Sequence, residues 1–171
     1  MGADPSGLSP FGRDEPIPDW AWRIWEYRRH HAPLDAKSEH LLSTLEAPVA
    51  WSARQFLDDV KRAGIDIRIV QGIRTYAEQN SLYAQGRTMP GQKVTNARGG
   101  QSNHNFRVAF DVGIFVKGQN GNSVYLNESR MYGTVASIAK KYGLEWGGDW
   151  HTITDEPHYQ YPISDKAAKA S

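Results

Sequence analysis

The sequence has no cysteine among its 171 residues, a formal net charge of only +1, and no long apolar run. Without cysteine there is no disulfide scaffold, thiolate ligand or Cys nucleophile, so any metal site must use His, Asp or Glu. The near-balanced charge argues against a protein that grips phosphate backbones, and no nucleic-acid partner is expected. A membrane-spanning helix needs roughly 18 or more apolar residues in succession, and no stretch approaches that. What is present instead is aromatic: six Trp and eight Tyr, within a chain that is 39% hydrophobic. That suffices for one domain with a buried core and a short appendage, and a monomer is expected.

Residues 1–35 read as the appendage. Pro5, Pro10, Pro16 and Pro18 lie among Gly, Ser and Asp, which gives an extended arm. A Trp-rich helix follows, from the candidate cap Asp19 to Pro33, either packed on the body or exposed as a surface for a polymer or partner. The body, 36–171, mixes helix and strand patterns. Val49, Ala53, Phe56, Leu57 and Val60 predict a helix over about Pro48–Arg62, stopped by Gly64. Ile65, Ile67 and Ile69 alternate with polar residues and predict a strand. Thr75 and Glu78 have capping-box spacing before a short helix that ends at Gly86. Residues 87–101 form a Gly-, Pro- and Asn-rich loop of the kind found beside sites. Phe106, Val108, Phe110, Val112 and Ile114 alternate with Arg107, Ala109, Asp111 and Gly113 and predict a second strand. A Gly/Asn turn at 118–122 leads to a helix over about 128–142, buried through Met131, Val135, Ile138 and Tyr142. Leu144–Trp146 and His158–Tyr161 read as short strands. The element order predicts an α+β fold, a small antiparallel sheet with helices packed around it.

Two segments concentrate the chemistry: Ser102-Asn-His104-Asn-Phe-Arg-Val-Ala-Phe-Asp111 and Asp155-Glu-Pro-His158. Two imidazoles and a carboxylate are groups that zinc favours, and three protein ligands plus an open position is the usual catalytic arrangement. Strand alternation turns Asp111 away from the Phe106–Ile114 apolar row, and His104 stands just before that strand. An H-x6-D spacing also arises by chance, with His104 a loop histidine and Asp111 a paired carboxylate.

Ser102-x-His104-x6-Asp111, then Trp146-Gly-Gly-Asp-Trp150, then Asp155-x-Pro157-His158-Tyr159 resembles the M15 family of zinc peptidases. Gly72-Ile-Arg74-Thr-Tyr-Ala-Glu-Gln79 resembles that family's Arg-bearing turn, and the likeness runs over roughly residues 40–163. The branch it resembles is the L-alanyl-D-glutamate endopeptidases of phage endolysins and bacterial cell walls, related to D-Ala-D-Ala carboxypeptidases. The resemblance implies that His104, Asp111 and His158 hold one Zn2+ in a cleft on the sheet. It makes Asp155 the general base toward the attacking water, with Glu156 its neighbouring rival and a turn carboxylate the bland reading. Arg74 corresponds to the family's Arg near the scissile carbonyl; a surface ion pair is the alternative. Ser102, Gln79 and Trp150 fall on the substrate side, bonding substrate or bracing the pocket.

Arg107 departs from the pattern, since the family usually has Gly there. If it shares a strand face with Ala109 and Asp111, it lines the cleft and meets substrate. The reaction implied is hydrolysis of an amide in the peptidoglycan stem peptide, at L-Ala–D-Glu. The alternatives are a D,D-carboxypeptidase or dipeptidase on D-Ala-D-Ala, and a non-catalytic zinc-binding module. The first twenty residues hold no apolar stretch of signal-peptide type, so the chain is expected to be cytoplasmic when made. It would then reach the cell wall after release through a holin or export by a secretion system.

Overall fold

The computed structural model describes residues 33–126 and 130–162. The arm and Trp-rich helix expected before Pro33 lie outside the described residues. Two helices open the body, α1 (Ala36–Ser43) and α2 (Ala47–Arg62). Helix α1 is not among the elements the pattern predicts, although its start is marked: the Asp35 carboxylate accepts from the Ser38 N–H at 3.0 Å, an ordinary N-cap. The periodic apolar stripe of α2 is buried as its spacing predicts, through Val49, Ala53, Phe56, Leu57 and Val60, and Gly64 follows at φ 84°.

Five antiparallel strands follow in the order β1-β2-β5-β4, with β3 also paired to β2. They are β1 (Asp66–Gln71), β2 (Ala109–Lys117), β3 (Ser123–Leu126), β4 (Glu145–Trp146) and β5 (His158–Gln160). Helix α3 (Tyr76–Ala84) lies between β1 and β2, and α4 (Arg130–Lys140) between β3 and β4. The α+β class and the small antiparallel sheet are as the pattern predicts. On the edge strand β1 the Ile69 N–H, which has no ladder partner on that side, donates to Ser38 Oγ of α1 at 2.9 Å.

Three local expectations need correction. β2 begins at Ala109, because Asn103–Phe106 is a 3-10 turn and Arg107 takes a left-handed conformation, φ 63°. The turn at 118–122 closes a hairpin onto β3, which the sequence reading omitted although Ser-Val-Tyr-Leu alternates. Helix α4 buries Tyr132, Val135, Ala136 and Ala139, so its core face is rotated from the one predicted. Met131, Ile138 and Tyr142 sit at the margin of the core instead.

The sheet separates two environments by its period of two. One face meets α2 and α4: Phe56 lies 4.9 Å from the Tyr159 ring, and Tyr159 stacks 5.9 Å from Phe110. The other face carries Asp111 and His158. Among the described residues no helix is long and apolar enough to cross a membrane.

Candidate active site

Register alone brings the first two groups together. Asp111 and His158 are directly opposite in the β2–β5 ladder, so their side chains emerge side by side on one face. His104 reaches the same point from the 3-10 turn before β2. Ser102 caps that turn, its Oγ accepting from the His104 N–H, and three bonds dock it on the chain after β1. His104 Nδ1 meets the Gly72 carbonyl at 2.7 Å, the Arg74 N–H donates to the His104 carbonyl at 3.2 Å, and Asn105 donates to the Arg74 carbonyl at 2.7 Å. A bulge between Ile69 and Gln71 precedes this segment. Such an extra residue re-aims the strand, here toward the turn that carries Arg74.

His104 Nε2, Asp111 Oδ1 and His158 Nδ1 form a nearly equilateral triangle with sides of 3.1, 3.2 and 3.1 Å. Both rings are buried, at 2% and 5% exposure. Their tautomers follow from their outer partners. A carbonyl faces His104 Nδ1, so that nitrogen carries the proton and Nε2 presents a lone pair. Gln160 donates through Nε2 to Glu145 at 2.7 Å, which turns its Oε1 toward His158 Nε2 at 3.1 Å. That leaves His158 Nδ1 as a lone pair as well. Three lone-pair donors therefore converge with no proton required between them, the chemistry of a cation site. Ligands about 2.0–2.2 Å from a tetrahedral zinc stand ~3.4 Å apart, close to this triangle. His104, Asp111 and His158 fit the ion.

Electrostatics follow from burial and charge. Burial pushes the Asp111 carboxyl up, but with no cation between them and the rings protonated, hydrogen bonds and charge from His104 and His158 outweigh it and hold it well below the usual range. Burial pulls His158 down, and its hydrogen bond and attraction to Asp111 more than restore it, raising it. Asp155 is raised, first by burial and then by the Asp111 charge.

Asp155 lines the cavity with His104, His158 and Arg74. Gly147 holds it there: a Cβ at 147 would fall 2.5 Å from the Asp155 carbonyl and 3.0 Å from His158 Cβ. Glu156 instead gives its carbonyl to the Trp146 indole at 2.7 Å, and its charge acts on Tyr132 and Tyr159 of the core face. Arg74 points Nη2 at Asp111 Oδ2, 3.5 Å away, and donates from Nη1 to Gln79 Oε1 at 2.9 Å. Trp150 lines the cavity beside His158, ring centroids 4.8 Å apart, and Ser102 lines it too.

Two residues placed on the substrate side by sequence are elsewhere. Gln79 is fully buried; besides holding Arg74 it donates to the Ala97 carbonyl at 2.8 Å, anchoring the 87–101 loop. Arg107 turns away from the cleft to the α1–α2 connection, donating to the Thr44 carbonyl and facing Glu46 at 3.4 Å. It is outside the strand, so the alternation argument does not reach it. Gln160 and Lys93 line the cavity and were missed. Strand alternation from His158 would have found Gln160; nothing local singles out Lys93.

The cavity, about 600 Å³, adjoins a second of about 570 Å³ lined by Gln71, Glu78, Met89 and Asp111. Arg74 and Leu82 border both, so the two make one trough across the cluster.

Comparison with known proteins decides the family. The chain is 41% identical over 150 residues to the peptidoglycan L-alanyl-D-glutamate endopeptidase CwlK of Bacillus subtilis, covering 80% of this chain and 86% of that one. It belongs to the M15 peptidase family. The family's D-alanyl-D-alanine carboxypeptidase profile matches residues 95–161, which contain all three candidate M15 ligands. The L-alanyl-D-glutamate peptidase of Listeria phage A118 is 31% identical over 112 residues, 64% of this chain and 35% of the phage protein. The M15 fold recurs in the L-Ala D-Glu endopeptidase ChiX of Serratia marcescens, at TM-score 0.57 and 21% identity, covering 79% of this chain and 93% of that one.

Proposed function

We propose that this chain is a zinc-dependent peptidoglycan peptidase that hydrolyses the L-Ala–D-Glu amide of the stem peptide. The carrying observation is the convergence of three lone-pair donors beside a raised carboxylate and a fixed guanidinium in one trough. The names of the bacterial and phage relatives support the substrate. Zinc held by His104, Asp111 and His158 would supply Lewis acidity, polarising the scissile carbonyl and acidifying the attacking water.

The remaining work falls to the chain's own side chains. Asp155 takes a proton from the water as its oxygen bonds to the carbonyl carbon, then hands it to the nitrogen as the C–N bond breaks. Burial suits it to this, because a base works best when its pKa approaches the working pH. Arg74, held by Asp111 and Gln79, offers its guanidinium to the carbonyl oxygen as charge develops; a donor of that kind is worth about 2.7–4 kcal/mol.

The trough continues on both sides of the cluster, which suits a peptide cut internally rather than one trimmed at its end. Mass spectrometry of purified peptidoglycan digested by zinc-loaded protein tests the reading. New D-Glu amino termini are expected. Release of D-Ala would make it a D,D-carboxypeptidase instead, and an intact wall would make it a binding module.

A further inference from the structure

The two halves of the trough differ in charge. The half that holds Asp155 also contains Lys93, for which no ion pair is found among the described residues. The other half is bordered by Met89, Pro90 and Glu78, whose carboxylate is already bound in the α3 capping box.

Lys93 is exposed, yet its backbone is held. Gly86 turns at φ 70° so closely against it that a Cβ would lie 2.5 Å from the Lys93 nitrogen. Just beyond, Arg87 donates to the Thr95 carbonyl at 3.0 Å, and Gln79 binds the Ala97 carbonyl. Through Gln79 the loop and Arg74 share one anchor. A lysine that lines the catalytic trough on an anchored loop, with no ion pair among the described residues, is a ready partner for a substrate anion.

The direction of binding follows from the base. Asp155 returns its proton to the leaving amine, so the residue that owns the amine must occupy the half that Asp155 lines. In an L-Ala–D-Glu bond that residue is D-Glu, attached onward through its γ-carboxyl. Its α-carboxylate stays free on the carbon bearing the scissile nitrogen. We infer that Lys93 binds this α-carboxylate and so determines specificity for D-Glu over its amidated form, an assignment that rests on the L-Ala–D-Glu reading.

Two synthetic stems, L-Ala-γ-D-Glu-L-Lys and its D-isoglutamine counterpart, separate charge from shape. Replacing one charged hydrogen bond costs about tenfold in affinity, so the zinc-loaded protein should favour the carboxylate stem by about tenfold in kcat/KM. In Lys93→Met that ratio should fall toward one, the change carried by KM; in Lys93→Glu it should invert. A ratio unchanged in Lys93→Met, or near one in the parent protein, overturns the assignment. A binding readout keeps the two readings apart: NMR titration with the product dipeptide γ-D-Glu-L-Lys. If the parent protein cuts neither stem but Lys93→Met weakens this dipeptide about tenfold, the carboxylate subsite stands and the scissile bond is another. If the dipeptide and its amide bind equally, the subsite is wrong whatever bond is cut.

Discussion

The two sides of the catalytic trough are positioned by different physics. Asp111 and His158 stand in a β-ladder, where paired backbone bonds on either side fix their spacing. Arg74 and the loop carrying Lys93 share one buried amide, Gln79, which binds Arg74 with its oxygen and Ala97 with its nitrogen, beside the separate ties of Arg74 to Asp111 and of Arg87 to Thr95. Two of the three clustered groups are built into the sheet, and the third stands on the turn that leads into it. Groups on the peptide side are tied through side chains that they share. The first arrangement should fail only when a ligand is removed, the second whenever its anchor is.

Removing a ligand should therefore have the largest effect. His158→Ala and His104→Ala should each lose most of the zinc, about one per chain in the parent by elemental analysis, and with it the activity. Full retention of metal in both variants would dismiss the cluster as the site. Next comes the base. Asp155→Asn keeps the shape but cannot take a proton, so kcat should fall about 10²–10⁴-fold with zinc content unchanged. Glu156→Gln should retain most activity, and the reverse pattern would move the base by one residue.

The anchor comes third. Gln79→Leu leaves Arg74 and the Ala97 carbonyl without their buried partner. It should cost about 1–3 kcal/mol in unfolding and lower kcat about tenfold, with metal retained. A variant as active as the parent would show that Asp111 alone holds Arg74.

The pH dependence of the ligand half sharpens the contrast. In chelated protein His158 is raised above its ordinary 6.5, so its contribution is complete below 6.5 and fades as pH climbs through the folded value. Asp111 is lowered from 3.8, so its contribution is present above 3.8 and lost in acid. The combined contribution of these two ligands should then be greatest between 3.8 and 6.5 in chelated protein. Zinc needs deprotonated ligands, so the loaded protein should gain Tm over the chelated one as pH rises past that window. Parallel curves would mean that no metal occupies the cluster.

Arg107→Gly should do least. Glycine relieves a left-handed residue, worth roughly 1–2 kcal/mol, while a half-exposed pair with Glu46 is lost, worth ~1 kcal/mol or less. Stability should stay within about 1 kcal/mol and KM should not move. A raised KM would return Arg107 to the cleft.

Gly suits position 107 for the same reason. The chain there must turn left-handed so that the Arg107 carbonyl can accept the Glu46 N–H, closing the 3-10 turn onto the helical pair. No alternation of apolar residues reveals that turn, which is why β2 starts three residues later than the alternation predicts. The rotated face of α4 has a similar origin. Tyr132 is buried because its hydroxyl finds the Leu126 carbonyl at 3.2 Å, on β3, which the pattern does not predict.

The amino-acid order by itself determined whatever repeats along one dimension. The stripe of α2, the alternation of β1, the Thr75–Glu78 capping box and the spacing of His104 and Asp111 are local, because each depends on residues a few positions apart. Only the tertiary structure decided which polar residues face the trough. Gln79 and Arg107 were as polar as Arg74 and Lys93, but the first was drawn inward by a buried carbonyl and the second outward by a helix connection. A side chain goes where its hydrogen bonds can be satisfied, and those partners lie 18 and 63 residues away along the chain.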